Sequence, residues 1–399
     1  MSFLLPILKS KLAQLGAVLI IALLIAIALP RIIGPRWRLW CWIAAIVIVL
    51  GYLLYLLIKK MRAKKNARML EGFLNQQASD QMLNARPDVQ DELAAIKEKL
   101  NRAMQVLKQS RIARGHRGAE ALYVLPWYMI IGPSASGKST AIRNSGLHFP
   151  PVDPDAEDPG RIKGMGGTRN CDWWFSNEGI ILDTAGRYTL SANIQEDREE
   201  WASFLQMLRK ARPRAPINGL ILAISLDELL KMDAEGMEAH ARALRARIDE
   251  LIVKLEILFP IYLVFTKCDL VSGFVEMFGD LSRGDREQIW GFTREYGPGR
   301  EPLHKEFERE AHSLKDVLER RRIRELAGDL RPSQKRGIYL FPVEFDEACA
   351  RLSGFIESLF RPNPYQQNPL VRGVYFTSGT QEGTPIARVL ATMRRQFAL

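Results

Sequence analysis

Residues 127–140 constrain the fold of this chain more than any other stretch. An apolar run, Trp127 to Ile131, leads into Gly132, Pro133, Ser134, Ala135, Ser136, Gly137, Lys138 and Ser139, which fit G-x-x-x-x-G-K-[ST] at every required position, and Thr140 follows. The chemistry of this pattern needs a strand that ends, a tight turn, and a helix that begins at once. The glycines let successive backbone N–H groups turn inward around a polyphosphate, and the helix after Gly137 points its positive end at the same charge. Lys138 is then in reach of the β- and γ-phosphates, and Ser139 offers a hydroxyl to an Mg²⁺ ion otherwise held by phosphate and water. A nucleotide, GTP or ATP, with Mg²⁺ is the expected ligand.

Two shorter patterns stand downstream, each closing an apolar run. Residues 171–175 read as a strand, 176–179 as a hairpin turn, and 180–182 as a second strand ending in Asp183, Thr184, Ala185 and Gly186. Asp183 at a strand end can hold Mg²⁺ through water, and the Gly186 N–H can approach a γ-phosphate with no side chain in the way. Thr168 ends a loop rich in Pro, Gly and Asp, where it can close onto the same ion. Gain or loss of the γ-phosphate would order or release both loops, which is how a nucleotide switch works. Arg187 follows, where many such GTPases carry a water-orienting glutamine, so either hydrolysis is slow or partner-dependent or the arginine itself contacts phosphate.

The third pattern is Thr266, Lys267, Cys268 and Asp269, after an apolar run at 261–265. A carboxylate at Asp269 can accept both the N1–H and the N2 amino hydrogens of guanine while the Lys267 stem covers the ring, which favours GTP over ATP. Singly these tetrads are weak. In the order phosphate loop, Asp-x-x-Gly, Thr-Lys-x-Asp, each at a strand end, they match a P-loop GTPase of the Ras-like fold. Lys138, Thr168, Asp183, Gly186 and Arg187 form the expected catalytic set, with Ser139, Thr168 and Asp183 on the metal.

Apolar runs at 220–224, 261–265 and 338–343 alternate with helical stretches at 230–258 and 301–326, which indicates an α/β domain over 121–361, a parallel sheet wrapped by helices with helical additions. Residues 362–399 form a C-terminal extension, strand-like at 371–377 and helical from 385 to 397. Upstream, 66–120 reads as a helical linker. Its Leu93, Ile96, Leu100, Ala103 and Leu107 make one apolar stripe too short for a coiled coil, suited to packing on the nucleotide domain or a neighbouring helix.

Residues 1–65 read as a transmembrane helical hairpin, with spans at about 12–30 and 39–58, each long enough for a hydrocarbon core of about 30 Å. Pro30 and Arg31 stand where a signal peptidase would want small residues, so the first span is expected to be retained. Lys59, Lys60, Arg62, Lys64, Lys65 and Arg68 outweigh Arg31, Arg36 and Arg38 in the link, which puts both ends in the cytoplasm. The formal charge of +11 is thus explained in part by a membrane flank and does not call for nucleic acid. Four isolated cysteines and five scattered histidines exclude a disulfide framework or a zinc site.

With these residues in view, the chain resembles the N-terminal part of the IcmF/TssM family, inner-membrane components of bacterial type VI secretion systems. The resemblance rests on the two spans, the phosphate loop, residues 166–175 (GGTRNCDWWF), 183–188 (DTAGRY), 264–269 (VFTKCD) and 371–386 (VRGVYFTSGTQEGTPI). It implies a bacterial inner-membrane scaffold subunit with its nucleotide domain in the cytoplasm. Implied partners are other inner-membrane and baseplate components, an outer-membrane lipoprotein reached through a periplasmic region beyond a third span, and further copies of the chain. The family is also discussed as ATP-using, against the guanine reading of Asp269. Two other functions are weighed: a structural anchor that binds nucleotide without turnover, and a membrane-tethered DNA motor. The motor would need adjacent acids at a strand end and a basic channel, whereas this chain has Asp183-x-x-Gly186 and its densest basic cluster beside the membrane.

Overall fold

A computed structural model describes residues 123–150, 161–162, 171–190, 195–286, 288–297 and 301–379, with a few residues between 36 and 51. Most of both expected spans, the 66–120 linker, Thr168 and the 385–397 helix lie outside the described residues. Among the described residues no helix is long and apolar enough to cross a membrane.

The domain is built on an eight-stranded sheet. In chain order its elements are β1 (Trp127–Ile131), α1 (Lys138–Arg143), β2 (Arg161–Ile162), β3 (Cys171–Phe175), β4 (Ile180–Thr184), α2 (Arg187–Leu190), α3 (Gln195–Ala211), β5 (Gly219–Ser225), α4 (Leu226–Lys231) and α5 (Ala234–Leu255). After these come β6 (Pro260–Thr266), a 3₁₀ turn (Cys268–Leu270), α6 (Phe274–Phe278), α7 (Arg283–Arg286), β7 (Trp290–Thr293), α8 (Leu303–Leu326), α9 (Pro332–Phe360) and β8 (Leu370–Phe376). The spatial order is β2-β3-β4-β1-β5-β6-β8-β7. Strands β4, β1, β5, β6 and β8 run parallel, while β3 is antiparallel to β4, the edge strand β2 is antiparallel to β3, and β7 at the other edge is antiparallel to β8.

Parallel strands buried on both faces read as unbroken apolar runs, and β1, β4 and β5 do. Ile130, Ile181 and Ala223 cluster with Trp174 and with Ile142 of α1 on one face. Their strand neighbours Met129, Leu182, Leu222 and Ile224 are also buried. At the N-terminal end of the sheet, the buried Arg212 guanidinium lies 4.9 Å from the Tyr123 ring and 4.6 Å from that of Trp127. It donates to Asn218 Oδ1 at 3.0 Å, and burial lowers its pKa to about 10. This stack ties the incoming chain to the end of α3 and the start of β5.

The structure corrects the expected strand at 338–343, which lies inside α9. Ile338, Phe341, Phe345, Ala348, Leu352 and Leu359 are all buried at helical spacing, a period visible only when the window extends beyond residue 343. Pro342 sits in the helix interior, where it lacks an N–H donor and costs about 3 kcal/mol. Packing offsets that cost, because Phe341 and Phe345 join Phe274, Phe278, Trp290 and Phe376 in one aromatic cluster. The sheet also continues past residue 361: β8 lies between β6 and β7, so strand 370–376 is an integral part of the domain.

Candidate functional site

The three motifs meet at the C-terminal ends of neighbouring parallel strands. Connections leave β1 toward β4 on one side, and leave β4 toward β5 on the other, so the 132–139 loop sits at the switch point of the sheet, where open α/β sheets take ligands. Gly132 carries the chain out of β1 close against β5. A Cβ there would stand 2.0 Å from the Ala223 carbonyl oxygen, so no other residue fits. Gly137 has φ 80° and caps α1, and Ala135 holds a left-handed φ of 59°, which completes the loop's curvature. The half-buried Thr140 lies within α1.

Lys138 is folded back along the loop. Its Nζ donates to the carbonyl oxygens of Gly132 (2.8 Å) and Pro133 (2.7 Å) and to Ser136 Oγ (3.4 Å). Burial lowers its pKa, against the opposing pull of Asp183 and Glu228. Ser139 Oγ donates to Asp183 Oδ2 at 2.6 Å. The β1–β4 register, Ile130 beside Asp183, puts that carboxylate next to the loop, where it is fully buried. Among the described residues no group of three or more His, Cys, Asp or Glu could hold a metal alone. A hydroxyl and a carboxylate in contact are what Mg²⁺ uses when phosphates and waters complete its shell, so the side chains present fit that ion.

The segment after Asp183 rests directly on the phosphate loop. A Cβ on Gly186 would stand 2.2 Å from the Ser134 nitrogen, so this approach is open to glycine alone. Thr184 Oγ1 donates to the Ile130 carbonyl at 2.9 Å, and Thr189 Oγ1 accepts the Gly132 N–H at 3.2 Å. Arg187 begins α2, where its Nη2 donates to Tyr188 Oη at 3.0 Å and its guanidinium lies 4.8 Å from the Tyr188 ring. Tyr188 in turn stacks on Trp201 of α3 at 5.3 Å.

On the other flank, Thr266 ends β6, with its Oγ1 donating to the carbonyl of Ser136 at 2.7 Å, and so joins the third motif to the first. Lys267 adopts a left-handed φ of 59°, and its ammonium lies 3.8 Å from Glu228 Oε1. Asp269 accepts a hydrogen bond from Ser378 Oγ at 2.7 Å, just past the end of β8. Ser378, Thr189 and Glu228 were not found from the sequence. Thr377 and Ser378 follow an apolar run just as Asp183 and Thr266 do, and that strand-end position was the available signal. An open groove of about 480 Å³ lies away from these motifs, lined by residues that include Arg242, Asp249 and Ser358. Its Arg245 is engaged with Asp249 and with the carbonyls of Leu359 and Arg361.

Residues 194–399 match the family of IcmF-related N-terminal domains, a match that begins after the phosphate loop. Over 313 residues the chain is 44% identical to the type VI secretion system component TssM1 of Pseudomonas aeruginosa, which covers 77% of this chain and 28% of that protein. The chain thus spans little more than a quarter of that relative's length. No solved structure matches it. With this identity over three quarters of its length and a family match across its C-terminal half, the chain belongs to the IcmF/TssM family.

Proposed function

We propose that residues 123–379 are a guanine-nucleotide switch domain of the Ras-like P-loop kind, carried by a membrane-anchored scaffold subunit of a type VI secretion complex. The observation that carries this reading is the convergence of three sequence-distant segments, through Ser139 on Asp183, Thr266 on Ser136 and Ser378 on Asp269. The order β3-β4-β1-β5-β6-β8, with only β3 antiparallel among these six, also suits such a domain.

In this reading the loop amides and Lys138 bind the phosphates, and Ser139 and Asp183 hold Mg²⁺, with Thr168 as a further ligand. The ion would neutralise charge on the β- and γ-phosphates. Gly186 and α2 follow the loop because they rest on it, and Tyr188 passes their position to Trp201 and α3. Asp269, oriented by Ser378, reads the N1–H and N2 amino group of guanine. Binding without rapid turnover is the second reading. It is favoured by Arg187, which stands after the Gly186 motif and is engaged with Tyr188.

Titration of the full chain with GDP, GTP, ADP and ATP in Mg²⁺ tests both. Guanine preference that Asp269→Ala removes supports the base contact; adenine preference, or equal affinity for both, contradicts it. Multiple-turnover hydrolysis lost in Lys138→Ala would remove the binding-only reading.

A further inference from the structure

The hairpin made by α8 and α9 ends in a tip that buries nothing. No residue between Leu318 and Gly337 is buried, so residues 319–336 stand out from the core as the last two turns of one helix, a short link and the first turn of the next. This stretch holds seven basic residues against three acidic ones. Two of the acids are already used within the fold: Glu319 pairs with Arg322, and Glu325 with Arg321, which also donates to Asp280 and to the Met277 carbonyl.

What remains at the tip is Arg320, Arg324, Arg331, Lys335 and Arg336 against Asp329 alone, and none of the five has a carboxylate within ion-pair distance among the described residues. Two large apolar side chains stand among them. Ile323 is 70% exposed, and Tyr339, two turns into α9 with the Arg322 guanidinium 5.0 Å from its ring, is 57% exposed. On α8, Arg320, Ile323 and Arg324 share one helical face, opposite the face that buries Phe307, Ala311 and Leu318.

We propose that this tip is a docking surface for the anionic headgroups of the membrane. Unpaired arginines and a lysine supply the attraction, and Ile323 and Tyr339 enter the headgroup boundary between them. An exposed isoleucine among like charges costs solvation in water and is accommodated at a lipid interface, whereas a merely solvated basic face would need no apolar residue there. The inference rests on the anchored reading of this chain, in which the linker keeps the domain within reach of the bilayer.

The test is hydrogen exchange of the full chain reconstituted in nanodiscs of phosphatidylcholine, alone or with about one third phosphatidylglycerol. Amides of 319–336 are expected to exchange about threefold or more slowly in the anionic discs, with the difference lost in high salt and in the Arg320→Gln, Arg324→Gln, Arg336→Gln variant. These positions are exposed, so that variant should melt as the wild type does. Equal exchange in both discs would overturn the proposal, as would protection that survives the triple substitution. Protection that appears only when other secretion proteins are added would place an acidic protein there and overturn it too. A chain that fails to enter the discs would contradict the anchored reading, and the same exchange measured with phosphatidylglycerol vesicles would then decide the tip by itself.

Discussion

The phosphate-loop end of the sheet and the aromatic cluster beneath α9 are held by opposite kinds of force. At the loop, the contacts are short hydrogen bonds between buried polar groups, Lys138 on carbonyl oxygens, Ser139 on Asp183 and Thr266 on Ser136, and each group costs free energy if left unpaired. In the cluster, Trp290, Phe341, Phe345 and Phe376 meet ring on ring with centroids 5.0 to 6.4 Å apart. Most of their energy scales with the apolar area buried, with a smaller part from the stacked and edge-to-face ring geometry. Apolar stabilisation is therefore concentrated beneath α9, while the loop end is held by paired, buried polar groups that, in the proposed reading, meet a charged ligand.

That contrast predicts a graded series. Phe345→Ala should have the largest effect on folding, a loss of about 3–5 kcal/mol read by denaturant unfolding, because it opens a cavity among its three aromatic neighbours Trp290, Phe341 and Phe376. A loss below about 1 kcal/mol would show that the cluster repacks and would break the comparison. Lys138→Ala should shift the weight to binding: nucleotide affinity falls about a hundredfold, since two charge-assisted hydrogen bonds to phosphate go, while unfolding loses only about 1–2 kcal/mol, the cost of two loop carbonyls left without their donor.

Smaller effects sharpen the same division. Ser378→Ala should leave phosphate binding intact and lower the preference for GDP over ADP by about fivefold, the worth of roughly one hydrogen bond orienting Asp269. Thr189→Val should cost about 1 kcal/mol of stability, with Thr189→Ser near wild type, because only the acceptor for the Gly132 N–H is removed. Arg324→Gln, at the exposed tip, should change unfolding by less than about 0.5 kcal/mol.

How much of this was legible in the sequence follows from the same physics. The loop at 132–139 and the strand ends at Asp183 and Thr266 could be read because backbone geometry demands particular residues there, and the Gly132 and Gly186 approaches show why: a Cβ would stand 2.0 and 2.2 Å from neighbouring backbone atoms. The β3–β4 hairpin was legible from its turn residues and its two apolar runs. Residues 338–343 were not, since six apolar or proline-containing positions fit strand and buried helix alike, and only the burial of Ala348, Leu352 and Leu359 further along α9 settles the period.

 The burial of these positions is what fixes the helix. Strand β8 was legible as a strand, while its place between β6 and β7 was not, because sheet order depends on contacts between residues 80 to 111 positions apart.

The central claim is that three sequence-distant segments form one nucleotide site. Hydrogen exchange of the full chain with and without GTP and Mg²⁺ tests it most directly. The account predicts that amides of 132–140, 183–189 and 266–269 with 377–379 all slow together at one nucleotide concentration, and that Lys138→Ala abolishes the change in all three. Protection confined to one segment, or none in any, would contradict it.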